Sequence, residues 1–171
     1  MRTLILVRHA KAVRPTEAPS DRARGLTERG KREAREAGEA IAALDARPML
    51  AVVSPSVRTR ETFEHLAAAL PWKPRLVIAD AIYEAEPEDI WEEALDAAGD
   101  DEDAGVIVVG HNPGMTELVA RLLRQARDRS PAASQLAEHV PTSGFAAFTL
   151  TGSTLQAAGA TLIGWGRLKG E

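Results

Sequence analysis

Short apolar segments alternate along the chain with stretches whose apolar residues recur every three or four positions. The apolar segments have the length and composition of buried β-strands, and the periodic stretches have the spacing of amphipathic helices. The predicted strands are residues 3–7, 50–54, 75–79 and 105–110, and the helices predicted after them are residues 26–46, 56–70, 87–98 and 113–127. Four strand-then-helix units in series, with almost continuously apolar strands, are typical of an α/β fold whose parallel sheet is covered on both faces.

The last part of the chain departs from this alternation. Residues 145–150 and 154–165 have the pattern of a closing antiparallel hairpin that turns around Gly152 and Ser153. Residues 127–144 are the least regular part, where we expect a loop with some helix. The sequence therefore predicts three layers, α/β/α, with a mostly parallel sheet and a C-terminal antiparallel hairpin.

Length and composition limit the possible classes of protein. The 171 residues contain no internal repeat or linker, so we expect a single domain over residues 1–171. A formal net charge of −4 argues against a dedicated nucleic-acid binder, and the lack of cysteine excludes disulfides and thiolate metal sites. The apolar segments are far shorter than the ~20 residues that span a bilayer, and the opening MRTLILV turns charged too early for a signal peptide. We expect a cytoplasmic monomer that contacts neither membrane nor nucleic acid.

Residues with catalytic chemistry follow the predicted strands. The first strand ends at Arg8 and His9, and Arg58, Glu84 and His111 follow the second, third and fourth strands. Ligands of open α/β sheets bind outside the carboxyl ends of the strands, so parallel strands would bring these groups to one edge. Two histidines, two arginines and a carboxylate can carry out phosphoryl transfer without a metal or another cofactor.

Each residue of this set has a distinct role in phosphoryl transfer. His9 is the candidate nucleophile, because a neutral imidazole can attack phosphorus near pH 7 and become a covalent phosphohistidine. Arg8 and Arg58 are candidates for bidentate binding of the phosphoryl oxygens. His111, just before a predicted helix start, is expected to donate to a phosphate oxygen. Glu84 is the candidate acid for the leaving group, if its pKa is raised toward neutrality.

Ordinary structural roles compete with these assignments. A single histidine at a strand end is more often structural than catalytic, and it is the pair of histidines at two strand ends that favours catalysis. Glu84 lies in an acidic stretch, where a solvated carboxylate is the usual expectation. His65 and His139 are interpreted as surface or packing residues. The segment GHNPG does not form a dinucleotide-binding pattern, and no P-loop is present.

Five segments together resemble a known family. LVRHAKA resembles the R-H-G nucleophile motif of the histidine phosphatase superfamily, which includes the cofactor-dependent phosphoglycerate mutases, with Ala10 in the glycine position. The other four segments follow in the family's order and extend the resemblance over nearly the whole chain: LTERG (26–30), SPSVRTRET (54–62), VVGHNPG (108–114) and PTSGFAAF (141–148). The short length and the R-H-A-K form are most similar to the small SixA-type phosphohistidine phosphatases.

The resemblance implies a phosphoglycerate mutase-like fold and a phosphate pocket formed by Arg8, His9, Arg58 and His111. It also implies that Arg22, the closest match to an arginine ahead of L-T-x-x-G, lies near this pocket. Two positions depart from the family pattern. Lys11 stands where many relatives have an acidic or amide residue, and Glu84 falls near an acid that the smallest members do not all keep.

The function implied is a phosphatase that works through a phosphohistidine on His9. The favoured substrate is a phosphohistidine-bearing protein, and a phosphomonoesterase for small metabolites is the first alternative. A non-catalytic phosphate- or phosphoprotein-binding module on the same fold is the second alternative, which the presence of His9 disfavours. A mutase is the least favoured, since nothing in the chain supplies the extra segments that enclose a phosphoglycerate.

Overall fold

A computed structural model describes residues 1–152 and 154–168, and its centre is one six-stranded sheet. The strands are β1 (Thr3–Arg8), β2 (Leu50–Val53), β3 (Arg75–Ile78), β4 (Gly105–Gly110), β5 (Phe145–Thr151) and β6 (Gly159–Gly166). Their order is β3-β2-β4-β1-β5-β6, with the first four parallel and β5 antiparallel to both of its neighbours. The mostly parallel sheet and its C-terminal antiparallel hairpin are confirmed, while Ser153 of the predicted turn lies outside the described residues.

Helices cover both faces of this sheet. They are α1 (Glu28–Ala42), α2 (Val57–Ala68), α3 (Pro87–Ala98), α4 (Gly114–Ala126) and α5 (Pro131–Glu138). The alternation of side chains along β1 divides the core: Ile5 and Val7 pack in the cluster that contains residues of α1 and α2. Leu4 and Leu6 pack in the cluster that contains residues of α3, α4 and α5. The three-layer α/β/α prediction is therefore confirmed.

The helices begin close to where their sequence signals predict. Thr27 caps α1 by accepting from the Gly30 N–H, and Ser56 caps α2 by accepting from the Thr59 N–H. Pro87 occupies the first turn of α3, as its fixed φ favours. The irregular region 127–144 contains α5, which is more regular than its sequence pattern predicts. Within residues 1–152 and 154–168, no helix has the length and apolar character to cross a membrane.

The LTERG segment attaches α1 to the loop that follows β1. The Thr27 N–H and hydroxyl both donate to the carbonyl oxygen of Lys11, at 2.9 and 3.2 Å. Gly30 lies against that same carbonyl, and a Cβ at this position would collide with the Lys11 backbone. The glycine therefore permits a backbone approach that no other residue allows. The Lys11 side chain is exposed, while its backbone holds the start of α1.

We expect Gly30→Ala to destabilise the protein by about 1–3 kcal/mol, because the added methyl group has to displace backbone rather than a flexible side chain. Urea unfolding of the variant and the wild type measures the difference. Glu36→Ala, at an exposed position of the same helix, is the control and should change the free energy of unfolding by less than about 0.5 kcal/mol. Equal stability of Gly30→Ala and wild type would contradict the close approach.

Candidate active site

The register of the sheet brings His9 and His111 together. Arg8 at the end of β1 pairs with Gly110 at the end of β4, so the next residue of each strand leaves the sheet at the same edge. The two imidazole rings lie with their centroids 5.5 Å apart and their planes inclined by 58°. On the other side of β4, Val53 of β2 pairs with Val109, so Ser54 emerges beside His111. The carboxyl edge of the parallel strands therefore carries the predicted cluster.

The tautomer of His9 follows from one hydrogen bond. Its Nδ1 lies 2.8 Å from the carbonyl oxygen of Ala10. A carbonyl oxygen can only accept, so Nδ1 carries the proton and Nε2 keeps its lone pair. The backbone around the ring is held by the His9 N–H on the Gly110 oxygen at 3.0 Å and by the Ala10 N–H on the Thr62 hydroxyl at 2.9 Å. His9 is a neutral ring with a fixed orientation and a free basic nitrogen at Nε2.

The PTSG segment (residues 141–144) supports the backbone of Arg8 and His9 from the β5 side. The Ser143 N–H donates to the carbonyl oxygens of Arg8 and His9 at 3.1 and 3.2 Å, and the Arg8 N–H donates to the Gly144 oxygen at 3.0 Å. Ser143 adopts a left-handed conformation with φ of 59°, and the Gly144 N–H closes the turn on Pro141. The turn therefore positions the strand end that presents His9.

Arg58 lies in the first turn of α2 and its side chain is buried, with 5% of its surface exposed. Its Nη1 donates to the carbonyl oxygen of Asp21 at 2.8 Å, and its Nη2 donates to the Asp21 carboxylate at 3.0 Å. Nη2 also lies 3.3 Å from Nδ1 of His111. The buried Nε has no hydrogen-bond partner among the described residues. A guanidinium is thus fixed beside both histidines.

The two nitrogens of His111 are both engaged by protein groups. A guanidinium can only donate, so Nδ1 accepts from Arg58, and the ring proton is on Nε2, which donates to the buried hydroxyl of Ser54 at 2.7 Å. Donation from His111 to a phosphate oxygen, as predicted from the sequence, therefore requires a second proton on Nδ1. The Asn112 side chain holds the following helix start by accepting from the Thr116 N–H at 3.0 Å.

Burial and neighbouring positive charge keep both imidazoles neutral. Burial lowers the pKa of His9 to about 3; the bond to Ala10 raises it, while His111, Arg58 and Arg8 lower it further. Burial and then Arg58 lower the pKa of His111 to about 4, against a smaller opposing effect of Asp21. At pH 7 the candidate nucleophile is therefore almost entirely in the form that can attack phosphorus.

These lowered pKa values predict that stability depends on pH. Between about pH 6.5 and pH 4 the unfolded chain binds protons at His9 and His111 that the folded protein does not, so the free energy of unfolding falls as the pH falls. Urea unfolding at pH 7 and pH 5 measures this loss. His9→Gln should reduce the dependence. A free energy of unfolding equal at the two pH values would contradict the assignment.

Arg8 turns its guanidinium toward the segment after α5. Its Nη1 donates to the Val140 carbonyl oxygen at 3.2 Å and lies 3.3 Å from Nε2 of His139. Its buried Nε has no hydrogen-bond partner among the described residues. His139, interpreted from the sequence as a surface or packing residue, is exposed and contacts a predicted phosphate-binding residue.

Asp21 and Tyr83 are residues of this site that the sequence analysis did not identify. The Tyr83 hydroxyl donates to the Asp21 carboxylate, and the Tyr83 ring meets the His111 ring edge to face at 5.2 Å. The bond from Tyr83, with those from Arg24 and Arg58, holds the pKa of Asp21 well below its usual range. Asp21 is 37 positions from Arg58. No local pattern marks such a contact, and Asp21 stands in the sequence as one acid in a basic segment.

The remaining predicted residues lie at different distances from the cluster. The Arg22 guanidinium stacks 4.4 Å from the centroid of the Tyr83 ring, which links it to the site through that ring. Glu84 is exposed, has a left-handed backbone with φ of 53°, and makes no hydrogen bond or ion pair with the described residues. Its role as an acid stays a prediction. Within the described residues, no three histidine, cysteine or acidic side chains converge in a way that would hold a metal ion.

Comparisons with known proteins agree with this geometry. The model of the histidine phosphatase superfamily (branch 1) matches residues 4–92. The protein MT1313 of Mycobacterium tuberculosis, which is uncharacterized, is 30% identical over 161 residues, covering 93% of this chain and 98% of that protein.

Two solved structures are similar over almost their whole length. The candidate phosphohistidine phosphatase SixA from Nakamurella multipartitia superimposes with a TM-score of 0.82 at 31% identity, covering 97% of this chain and 95% of the other. The corresponding SixA candidate from Agrobacterium tumefaciens superimposes with a TM-score of 0.76 at 27% identity, covering 97% of both chains. The chain belongs to branch 1 of the histidine phosphatase superfamily and is a phosphatase.

Proposed function

We propose that this phosphatase removes the phosphoryl group from phosphohistidine on a protein, through a phosphohistidine intermediate on His9. The observation that carries the proposal is the Nδ1–H bond of His9 to the Ala10 carbonyl, which leaves Nε2 as a basic nitrogen among Arg8, Arg58 and His111. The similarity to two SixA candidates over nearly the whole chain supports the choice of phosphohistidine as substrate.

The reaction has two displacements at phosphorus. In the first, the His9 Nε2 lone pair forms a P–N bond while the bond from phosphorus to the substrate nitrogen breaks, and the released imidazole takes a proton. In the second, water attacks phosphorus, the bond to His9 breaks, and inorganic phosphate leaves. Splitting one difficult transfer into two easier ones is the ordinary gain of covalent catalysis.

The cationic groups act on the phosphoryl oxygens. Arg8 and Arg58 supply donors to the oxygens on which charge accumulates. A phosphoryl dianion next to His111 raises the pKa of its ring, because it stabilises the imidazolium. The ring then takes a proton on Nδ1 and donates to the anion, while Nε2 stays on Ser54.

The leaving group is where a phosphohistidine and a phosphate ester differ most. An imidazole leaves as a group whose conjugate acid has a pKa of about 6.5, so solvent can protonate it. An alkoxide needs a strong, well-placed acid. Glu84, the candidate for that acid, is exposed and makes no hydrogen bond or ion pair with another described residue. The site is therefore better suited to cleaving a P–N bond than the P–O bond of an alkyl ester.

Turnover on two classes of substrate tests the proposal. The value of kcat/KM should be at least about tenfold higher for a protein phosphorylated on histidine than for any member of a panel of sugar and nucleotide phosphates, which is a difference of about 1.4 kcal/mol in transition-state binding. A tenfold preference for one of the small esters would instead identify a metabolite phosphomonoesterase. Phosphate binding with no turnover of either class would identify a binding module.

A further inference from the structure

A groove extends from the catalytic cluster along two helices that catalysis does not use. Its volume is about 760 Å³, and one wall is lined by Asn112, just before α4, and by Thr116, Ala120 and Arg124 at successive turns of α4. Ala137 and His139, at the end of α5, line the other. A second cavity of about 420 Å³ continues it and shares Ala120, Arg124 and Ala137. We call these two cavities the α4–α5 groove.

The catalytic cluster lies at one end of this groove. Asn112 is the neighbour of His111, and His139 contacts Arg8, so the start of α4 and the end of α5 both lie beside the phosphate-binding groups. The end of α4 and the start of α5 form the far end. The 13 residues of α4 place this far end about 20 Å from the cluster, at 1.5 Å per residue. A phosphoryl group or a small phosphate ester would leave most of this length uncovered.

The far end of the groove carries unpaired positive charge. Arg124, Arg127 and Arg129 are exposed, and none of them forms an ion pair with another described residue. Asp128 is the acidic residue that lines the same end, so the four side chains have a formal excess of two positive charges in a protein whose net charge is −4. The dipole of α4 favours an arginine in its last turn, but Arg129 lies beyond the helix, where that effect no longer explains it.

The end beside the cluster has the opposite charge. Glu117 and Glu138 line the groove there, and Arg121 is paired with Glu88 of α3 at 2.8 Å. A bound chain is therefore favoured when its acidic residues lie away from its phosphorylated residue and against the far end. This arrangement sets a spacing. About 20 Å corresponds to roughly six residues of extended chain at 3.3 Å each.

We propose that the α4–α5 groove docks a segment of the phosphoprotein substrate whose acidic residues lie about six positions from the phosphohistidine and contact Arg124, Arg127 and Arg129. The proposal rests on the proposed function, because it names the part of the substrate that a small phosphate ester lacks. Opposite charges at the rim of an interface mainly raise the association rate. Docking in the groove would therefore lower the KM for a protein substrate and leave the rate of phosphoryl transfer in the bound complex unchanged.

Synthetic peptides with one chemically phosphorylated histidine test this docking. In the first pair, one peptide carries Asp-Glu-Asp five to seven positions after the phosphohistidine, and the other carries Asn-Gln-Asn at the same positions. In the second pair, the same two triplets lie five to seven positions before the phosphohistidine. For the wild-type enzyme, kcat/KM should be about tenfold higher for the acidic member of at least one pair, mainly through KM. Arg124→Glu combined with Arg129→Glu should remove this preference, and glutamine at both positions should reduce it.

Lys73→Glu combined with Arg75→Glu is the matched control, since it changes the net charge equally at exposed positions on and beside the edge strand β3. This variant should keep the peptide preference, and all variants should keep wild-type turnover of an aryl phosphate, which also shows that they fold.

Loss of aryl phosphate turnover by the Arg124 and Arg129 variants in parallel with peptide turnover would overturn the docking proposal, as would an equal loss of preference in the control. So would a wild-type enzyme that hydrolyses the acidic and amide peptides equally. Turnover of the aryl phosphate without turnover of any phosphohistidine peptide would instead refute the proposed function, and the docking proposal with it.

Discussion

Replacing His9 by alanine is expected to lower turnover of an aryl phosphate by at least about 10³-fold, because the variant lacks the nitrogen that forms the P–N bond in the proposed mechanism. The same change should abolish covalent labelling of the enzyme from a radioactive substrate. A phosphohistidine is labile in acid and stable in alkali, so the label on the wild-type enzyme should be lost in acid and kept in alkali. Rapid quenching followed by the two treatments measures this.

His65→Ala is the control for that experiment, because it removes an imidazole from α2 without touching the cluster. It should keep wild-type turnover and labelling. His9→Ala should also still bind inorganic phosphate, since Arg8 and Arg58 remain in place. A fully active His9→Ala would contradict the assignment of His9 as nucleophile. A labelled His9→Ala would show that another residue accepts the phosphoryl group.

Replacing Arg58 by alanine is expected to lower kcat/KM by about 10²–10³-fold, the usual cost of removing a donor that acts on the charge of the transition state. The loss has two physical sources. The contact proposed between the guanidinium and the phosphoryl oxygens is lost, and the Asp21 carboxylate keeps Arg24 but loses Arg58, one of the two arginines paired with it. The variant then presents a less compensated negative charge to an anionic substrate. Steady-state kinetics on the same aryl phosphate measures the loss.

Two further substitutions separate charge from geometry at this position. Arg58→Lys keeps the positive charge but cannot reproduce the planar fork, so it should recover little of the lost activity. Arg60→Ala removes an exposed arginine two residues further along the same helix and should leave kcat/KM within about twofold of wild type. Arg58→Ala with activity close to that of Arg60→Ala would contradict the role of Arg58.

Most of the elements and four of the predicted site residues could be recognised from local patterns. The strands at 105–110 and 3–7 and the helix at 87–98 are marked by signals within a few residues, and the structure has them at or near those positions. The parallel order of the strands then places Arg8, His9, Arg58 and His111 at one edge, because the carboxyl ends of parallel strands coincide.

Contacts between segments that are far apart in the chain could not be predicted from the sequence patterns. Asp21 reaches Arg58 and Tyr83 from a loop without regular structure, and its place in the site depends on how that loop folds back over α2. Glu84 and Tyr83 are neighbours in the chain, yet the tyrosine contacts His111 and the glutamate faces solvent. Periodicity carries no information about such choices, because an irregular loop has no repeating face.

The layered α/β architecture, the strand ends that carry His9 and His111, and the membership of a phosphatase family all follow from patterns in the amino-acid sequence. The chemistry of those residues depends on the folded chain. The Ala10 carbonyl selects the tautomer of His9, Arg58 and Ser54 select that of His111, and burial lowers both pKa values. The physical reason is that a residue's type and position follow from local patterns, whereas its protonation state and hydrogen-bond partners depend on groups that only the folded chain brings within about 3 Å.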